Sequence, residues 1–205
     1  MNNIINITKW PVIIVANYRT GSTVFAQRLA EINNVPVYLE PWQHINAQTS
    51  EFDEHIHWLK KDFYDHYKSG NTMYVLKVMP DQIHKGTPYE KILASDSFKI
   101  KLHRENEIDN IISQYISNMR QKWVTEINEP HYRYALPIDY NILLAAITSV
   151  TRGNFYLNNL NYEFDHDLSY ESLGEIKSTI FKKTRPPENI NEIRAAVVNM
   201  YNNLF

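Results

Sequence analysis

The sequence predicts an α/β fold, a three-layer sandwich around a mostly parallel sheet of about five strands. Three observations carry this. Short runs rich in β-branched residues recur along the chain, each of strand length. Between them lie longer segments whose apolar residues stand three and four apart, the spacing of amphipathic helices. The first run is apolar throughout, the pattern of a parallel strand buried on both faces.

Pro11 to Ala16 is the first strand, and it ends in Asn17-Tyr18-Arg19-Thr20-Gly21-Ser22-Thr23. A helix starts at about Ser22, with Val24, Phe25, Leu29 and Ile32 on one stripe, and closes at Asn33-Asn34. Val35 to Leu39 is the second strand. Phe52, Ile56, Leu59, Phe63 and Tyr67 recur at helical spacing until Ser69-Gly70-Asn71 stops them. Met73 to Val78 is the third strand, ended by Pro80, and Tyr89 to Ala94 a short helix. Ser97 to Leu102 alternates as a fourth strand. A long helix follows with Ile108, Ile112, Tyr115, Met119 and Trp123 on one face.

Asp139 to about Thr151 is helical, interrupted near Gly153 and resuming to Leu160. Tyr162 to Leu168 is the fifth strand, and Ser169 caps a short helix through Ile180. Thr184-Arg185-Pro186-Pro187 is a turn or an extended loop. Asn189 to Phe205 is a closing amphipathic helix with Ile193, Val197, Met200 and Leu204. No repeat, low-complexity tract or linker divides residues 1–205, which read as one domain.

Composition narrows the function classes. The 205 residues carry 21 Lys+Arg against 23 Asp+Glu, too balanced for bulk binding to a nucleic-acid backbone. There is no cysteine, so disulfides, thiol catalysis and Cys-ligated zinc or iron–sulfur centres are excluded. His55 and His57 alternate on a helical segment and do not share a face, His66 lies nine residues on, and no metal site is expected. No apolar run reaches membrane-span length, and the N-terminus lacks the features of a signal peptide. A cytoplasmic location with no membrane partner is the expectation.

The segment from Asn17 to Thr23 sits where strand gives way to helix. Backbone N–H groups and the helix dipole favour an anion there. Gly21 allows a tight turn, Ser22 and Thr23 add hydroxyls, and Arg19 adds a fixed fork of charge. It is not a Walker A loop, because it has no Lys for the β- and γ-phosphates.

Tyr18-Arg19-Thr20-Gly21-Ser22-Thr23 resembles the 5′-phosphosulfate loop of the sulfotransferases that use 3′-phosphoadenosine 5′-phosphosulfate (PAPS). Leu102-His103-Arg104-Glu105-Asn106-Glu107-Ile108, followed by Ser113-Gln114-Tyr115, resembles the family's 3′-phosphate segment. Tyr170-Glu171-Ser172-Leu173 is similar to its Tyr-Glu-Asp-Leu segment. The resemblance implies PAPS as co-substrate and no metal. Arg19, Thr20, Gly21, Ser22 and Thr23 would hold its 5′ end, and Arg104 and Ser113 its 3′-phosphate. Lys183 and Arg185, in the basic run Lys182-Lys183-Thr184-Arg185, match the basic loop that often closes this site in the family.

Sulfuryl transfer needs a base for the acceptor hydroxyl and positive charge on the sulfonate. The cytosolic branch of the family carries a His in a Lys-Thr-His-Leu-Pro segment. The similar segment here is Lys77-Val78-Met79-Pro80, whose Met79 takes no proton. The carbohydrate and bacterial branches use a Glu, and Val37-Tyr38-Leu39-Glu40-Pro41-Trp42-Gln43-His44 resembles that segment. The resemblance implies Glu40 as base with Lys77 stabilising negative charge. His44 and His84 are the other candidates for a base. Trp123, Tyr132, Arg133, Tyr134 and Tyr140 are candidates for the acceptor pocket. The expected acceptor is a small molecule or a carbohydrate. Two other functions fit the same residues: a small-molecule kinase with a degenerate phosphate loop, and a nucleotide-binding module without catalysis.

Overall fold

The computed structural model describes residues 5–41, 61–83, 85, 87–121, 125–126, 134–173, 181–182 and 185–205. Its strands are β1 (Val12–Ala16), β2 (Val37–Leu39), β3 (Val75–Val78), β4 (Phe98–His103), β5 (Thr125–Glu126), β6 (His166–Ser169) and β7 (Phe181–Lys182). Its helices are α1 (Ser22–Asn33), α2 (Lys61–Lys68), α3 (Pro88–Ala94), α4 (Glu107–Arg120), α5 (Tyr140–Asn158) and α6 (Ile190–Leu204). Five strands form one sheet in the order β2-β3-β1-β4-β6, and every pairing in it is parallel.

Each residue of β1 is fully buried, as its unbroken Val-Ile-Ile-Val-Ala sequence requires of a central strand. On one face of the sheet, Ile13, Val15, Leu76 and Val78 pack with Phe63 of α2, Tyr89, Ile92 and Leu93 of α3, and Leu157 of α5. On the other, Val12, Ile14, Ala16, Val75, Phe98, Ile100 and Leu102 pack with Phe25, Ala26, Leu29 and Ala30 of α1. Helices on both faces make the three layers. A further core joins α4, α5 and α6 through Ile111, Tyr115, Leu143, Ile147, Ile193 and Val197.

Several boundaries differ from the sequence reading, each for a local reason. Ile32, read as part of the buried stripe of α1, is exposed, and Ala26 and Ala30 face the sheet beside Phe25 and Leu29. Helix α5 does not break at Gly153 but runs unbroken from Tyr140 to Asn158. The long helix α4 ends at Arg120, where Gln121 takes a left-handed C-cap, and Trp123 lies outside the described residues. The fifth strand of the sheet starts at His166, not Tyr162. Before it, the Asp165 carboxylate accepts from the Lys99 amide at 2.8 Å, and Tyr162 and Phe164 pack against the sheet core. Ser169 closes β6 and accepts from the Ser172 amide, Glu171–Leu173 is a 3-10 turn, and residues 174–180 of the helix expected through Ile180 lie outside the described residues. Lys182 lies in β7, which pairs antiparallel with β5, instead of in a loop.

The chain leaves β1 through α1 toward the β2 side of the sheet and leaves β4 through α4 and α5 toward β6. The carboxyl ends of β1 and β4 therefore face a crevice at a topological switch point, where ligands of open α/β sheets collect.

Candidate anion-binding site

The loop Asn17–Gly21 rises from the end of β1 into that crevice. Gly21 is the N-cap of α1 with φ +70, and having no side chain it caps none of the helix's first amides. The first turn carries no acidic residue, so the positive end of α1 is left uncompensated by its own sequence. A Cβ on Gly21 would lie 2.5 Å from the Tyr170 ring, so glycine is required both for the turn and for this approach. Ser22 is the first helical residue and is buried, and Thr23 is half-buried beside it. Thr20 is fully buried and its hydroxyl donates to the Asn17 carbonyl at 2.9 Å, so it turns into the loop.

Arg19 and Arg104 meet across the switch point. Arg19 Nε donates to the Ser113 hydroxyl at 3.2 Å. Arg104, which follows β4, donates from Nη1 to the Arg19 carbonyl at 3.5 Å and to the Asp109 carbonyl at 3.4 Å. Its Nε lies 3.5 Å from Glu171 Oε1, and its guanidinium stands 5.2 Å from the centre of the Tyr170 ring. Burial, and then the neighbouring Arg104 charge, bring the Arg19 pKa down to about 10, which still leaves it protonated at neutral pH. Two like charges held together at a strand end, beside a helix N-terminus, are the arrangement of an anion seat.

On the other side of β1, Lys77 projects from β3 and is buried, and its ammonium pairs with the Glu40 carboxylate. It also reaches Met79 Sδ at 3.0 Å. The Glu40 amide donates to the Lys77 carbonyl at 2.9 Å, so backbone and side chain both tie the two residues. The Glu40 side chain is 39% exposed, which leaves the carboxylate open to a ligand while the ammonium stays inside. Among the described residues, the non-glycine residues with positive φ are Arg19, Asn34, Glu40 and Gln121. Asn34 and Gln121 are helix C-caps, where this conformation is ordinary. The other two are Arg19 and Glu40, whose left-handed backbone the surrounding contacts must hold.

The structure thus brings Arg19, Arg104 and Ser113 to one side of the crevice and joins Glu40 to Lys77 on the other. Arg185 does not point to this cluster by any contact described; it is exposed, and its carbonyl accepts from Arg120 Nη1 at 2.9 Å. Lys183, His44, His84, Trp123, Tyr132 and Arg133 lie outside the described residues. Tyr134 and Tyr140 are exposed, and neither joins the cluster.

Sequence reasoning missed three residues. Asn17 is fully buried and holds the loop by its side chain. The Tyr18 hydroxyl donates to Asp81 Oδ2 at 2.9 Å; burial, then Asp81, push its pKa up, so it stays a phenol. Asp81 stands in the 3-10 turn Pro80–Gln82 after β3, and its Oδ1 is buried without a hydrogen-bond partner. The only sequence cue for Asp81 is its place just after Pro80 at the end of a strand.

Among the described residues no group of three or more His, Asp or Glu side chains forms a metal site. No helix among them is long and apolar enough to cross a membrane. No family model matches the chain. No curated protein matches it. Among solved structures, the crystal structure of an uncharacterized protein from Eubacterium ventriosum is similar at 11% identity over 95% of this chain and 99% of that chain, with a TM-score of 0.39.

Proposed function

We propose that the protein is a PAPS-dependent sulfotransferase. The observation that carries the reading is the convergence of Arg19, Arg104 and Ser113 at the start of α1. These are the residues that the resemblance assigns to the two phosphate ends of PAPS, and they come from segments about 90 residues apart. The donor side of the crevice is then cationic, with Arg19 and the amides of α1 on the 5′-phosphosulfate and Arg104 with Ser113 on the 3′-phosphate. Glu40 takes the proton of an acceptor hydroxyl through the oxygen that Lys77 leaves open. The acceptor oxygen attacks sulfur, the bond from sulfur to the bridging phosphate oxygen breaks, and adenosine 3′,5′-bisphosphate leaves. Arg19 offsets the charge that grows on the leaving oxygen, and Lys77 keeps Glu40 oriented.

Calorimetric titration with adenosine 3′,5′-bisphosphate and with AMP tests the donor. The bisphosphate is expected to bind far more tightly, and equal affinities would remove the 3′-phosphate site. Transfer of labelled sulfate from PAPS across a panel of sugars, phenols and alcohols then tests the activity.

A further inference from the structure

The backbone of Arg19 is held in its left-handed conformation from both sides by one residue. The Oδ1 of Asn17 accepts from the Tyr18 amide at 2.7 Å, and the Asn17 carbonyl accepts from the Thr20 hydroxyl at 2.9 Å. Tyr18 and Thr20 flank Arg19, whose φ is +57. Asn17 is itself fixed by Nδ2, which donates to the Val150 carbonyl at 2.9 Å and to Asn154 Oδ1. The partners fix the amide orientation, since the Tyr18 N–H can only donate and the Val150 carbonyl can only accept. Gly153 makes room for it: a Cβ there would stand 1.9 Å from Asn17 Oδ1.

The chain of bonds continues outward. Asn154 Nδ2 donates to Glu107 Oε1 at 2.9 Å, and the Tyr201 hydroxyl of α6 donates to Glu107 Oε2 at 2.9 Å. Glu107 opens α4, the helix that carries Ser113. The same helix is therefore fixed to the loop at two points, through Glu107 and through the bond between Ser113 and Arg19.

We infer that Asn17 is a positioning residue for the anion seat, and that the relay Asn17–Asn154–Glu107–Tyr201 makes helix α6 hold the loop in its binding form. This rests on the reading of the loop as the seat of an anionic donor. A coupled relay requires that a change at its far end be felt at the loop, because each side chain orients the next.

The test measures amide hydrogen exchange and adenosine 3′,5′-bisphosphate affinity on the full chain, in wild type and in Tyr201→Phe, Glu107→Gln and Asn17→Asp. Tyr201→Phe deletes one hydroxyl and keeps the ring. It is expected to speed exchange of the Tyr18 amide by about 2- to 10-fold and to weaken bisphosphate binding by a similar factor. The amides of β1 should not change. Glu107→Gln keeps only one acceptor and should act in the same direction. Asn17→Asp turns a donor into an oxygen facing two acceptors, and should exceed 10-fold in both readouts. A purely structural bond would instead loosen α6 and leave the Tyr18 amide unchanged, and that result in both Tyr201→Phe and Glu107→Gln overturns the inference. If wild type fails to bind the bisphosphate, the donor assignment falls, while exchange at Tyr18 still decides whether the relay holds the loop.

Discussion

Arg19 donates to the Ser113 hydroxyl at 3.2 Å across 94 residues of chain. The bond joins the loop after β1 to helix α4, and so joins the two segments assigned to opposite ends of the donor. Arg19 sits at the centre of that seat with a lowered pKa, because burial and Arg104 both disfavour its charge.

The first prediction follows from the sign of that shift. A cation whose folded pKa lies below its unfolded value costs stability at every pH where it is protonated, here throughout the range below about 10. The neutral Arg19→Gln variant should therefore melt no lower than wild type at pH 7, and by about 2–4 °C higher for each kcal/mol released. It should lose bisphosphate affinity by about 10- to 150-fold, the share of a charge-assisted phosphate bond. Thermal melts with and without the ligand check both. A sharp drop in the melting temperature of the free variant would make Arg19 a structural residue.

Arg104 offers a sharper discrimination. It is expected to touch the 3′-phosphate and not the 5′ end, so Arg104→Ala should weaken adenosine 3′,5′-bisphosphate by about 10- to 150-fold and AMP little. Its guanidinium also steadies the Arg19 and Asp109 carbonyls. Arg104→Lys keeps charge but loses the fork, and should fall between the two. Equal losses for both nucleotides would move the 3′-phosphate contact elsewhere.

How much of this was legible depends on the range of the interaction. The strand Val12–Ala16, the turn at Gly21 and the start of α1 follow from local chemistry, an apolar run and a glycine, and the structure has them within a residue. Gly153 was misread as a helix break because its purpose is tertiary: it admits the Asn17 carboxamide from another part of the chain. A lone interior glycine costs the helix about 1 kcal/mol, which the packed α5 tolerates. Asn17 and Asp81 have no sequence pattern, since their partners lie 133 and 63 positions away in Val150 and Tyr18. Glu40 and Lys77 came from separate segments, and only the parallel pairing of β2 with β3 puts them together.

Gly21→Ala tests the geometry of the loop. The substitution forces a Cβ into φ +70 and to within 2.5 Å of the Tyr170 ring. The backbone alone costs about 1–2 kcal/mol, a fall of several degrees in melting temperature for a chain of this size. Trimming the ring with Tyr170→Leu in the same chain should recover part of the loss, because it removes the clash and leaves the backbone cost. Full recovery would mean that the left-handed turn is not needed, and no recovery that the ring is not the obstacle.

The last prediction concerns the pair at the acceptor side. Glu40→Gln is close to isosteric and should keep bisphosphate binding while lowering turnover by about 10²–10⁴-fold, the usual share of a general base. The structure adds a complication, because Lys77 is only 5% exposed in its side chain and loses its counter-charge in that variant. An uncompensated buried ammonium is costly, whereas removing both charges together is often neutral. Glu40→Gln should therefore lower the melting temperature, and the double variant Glu40→Gln with Lys77→Met should restore most of it. Turnover separates the two roles. A base that is gone stays gone, so the double variant should remain as inactive as Glu40→Gln despite its recovered fold. If activity returned with stability, Glu40 would be only the counter-ion that keeps Lys77 buried, and the proton would have to leave by another group, for which Asp81, whose carboxylate accepts from the Tyr18 hydroxyl, is the next variant to make.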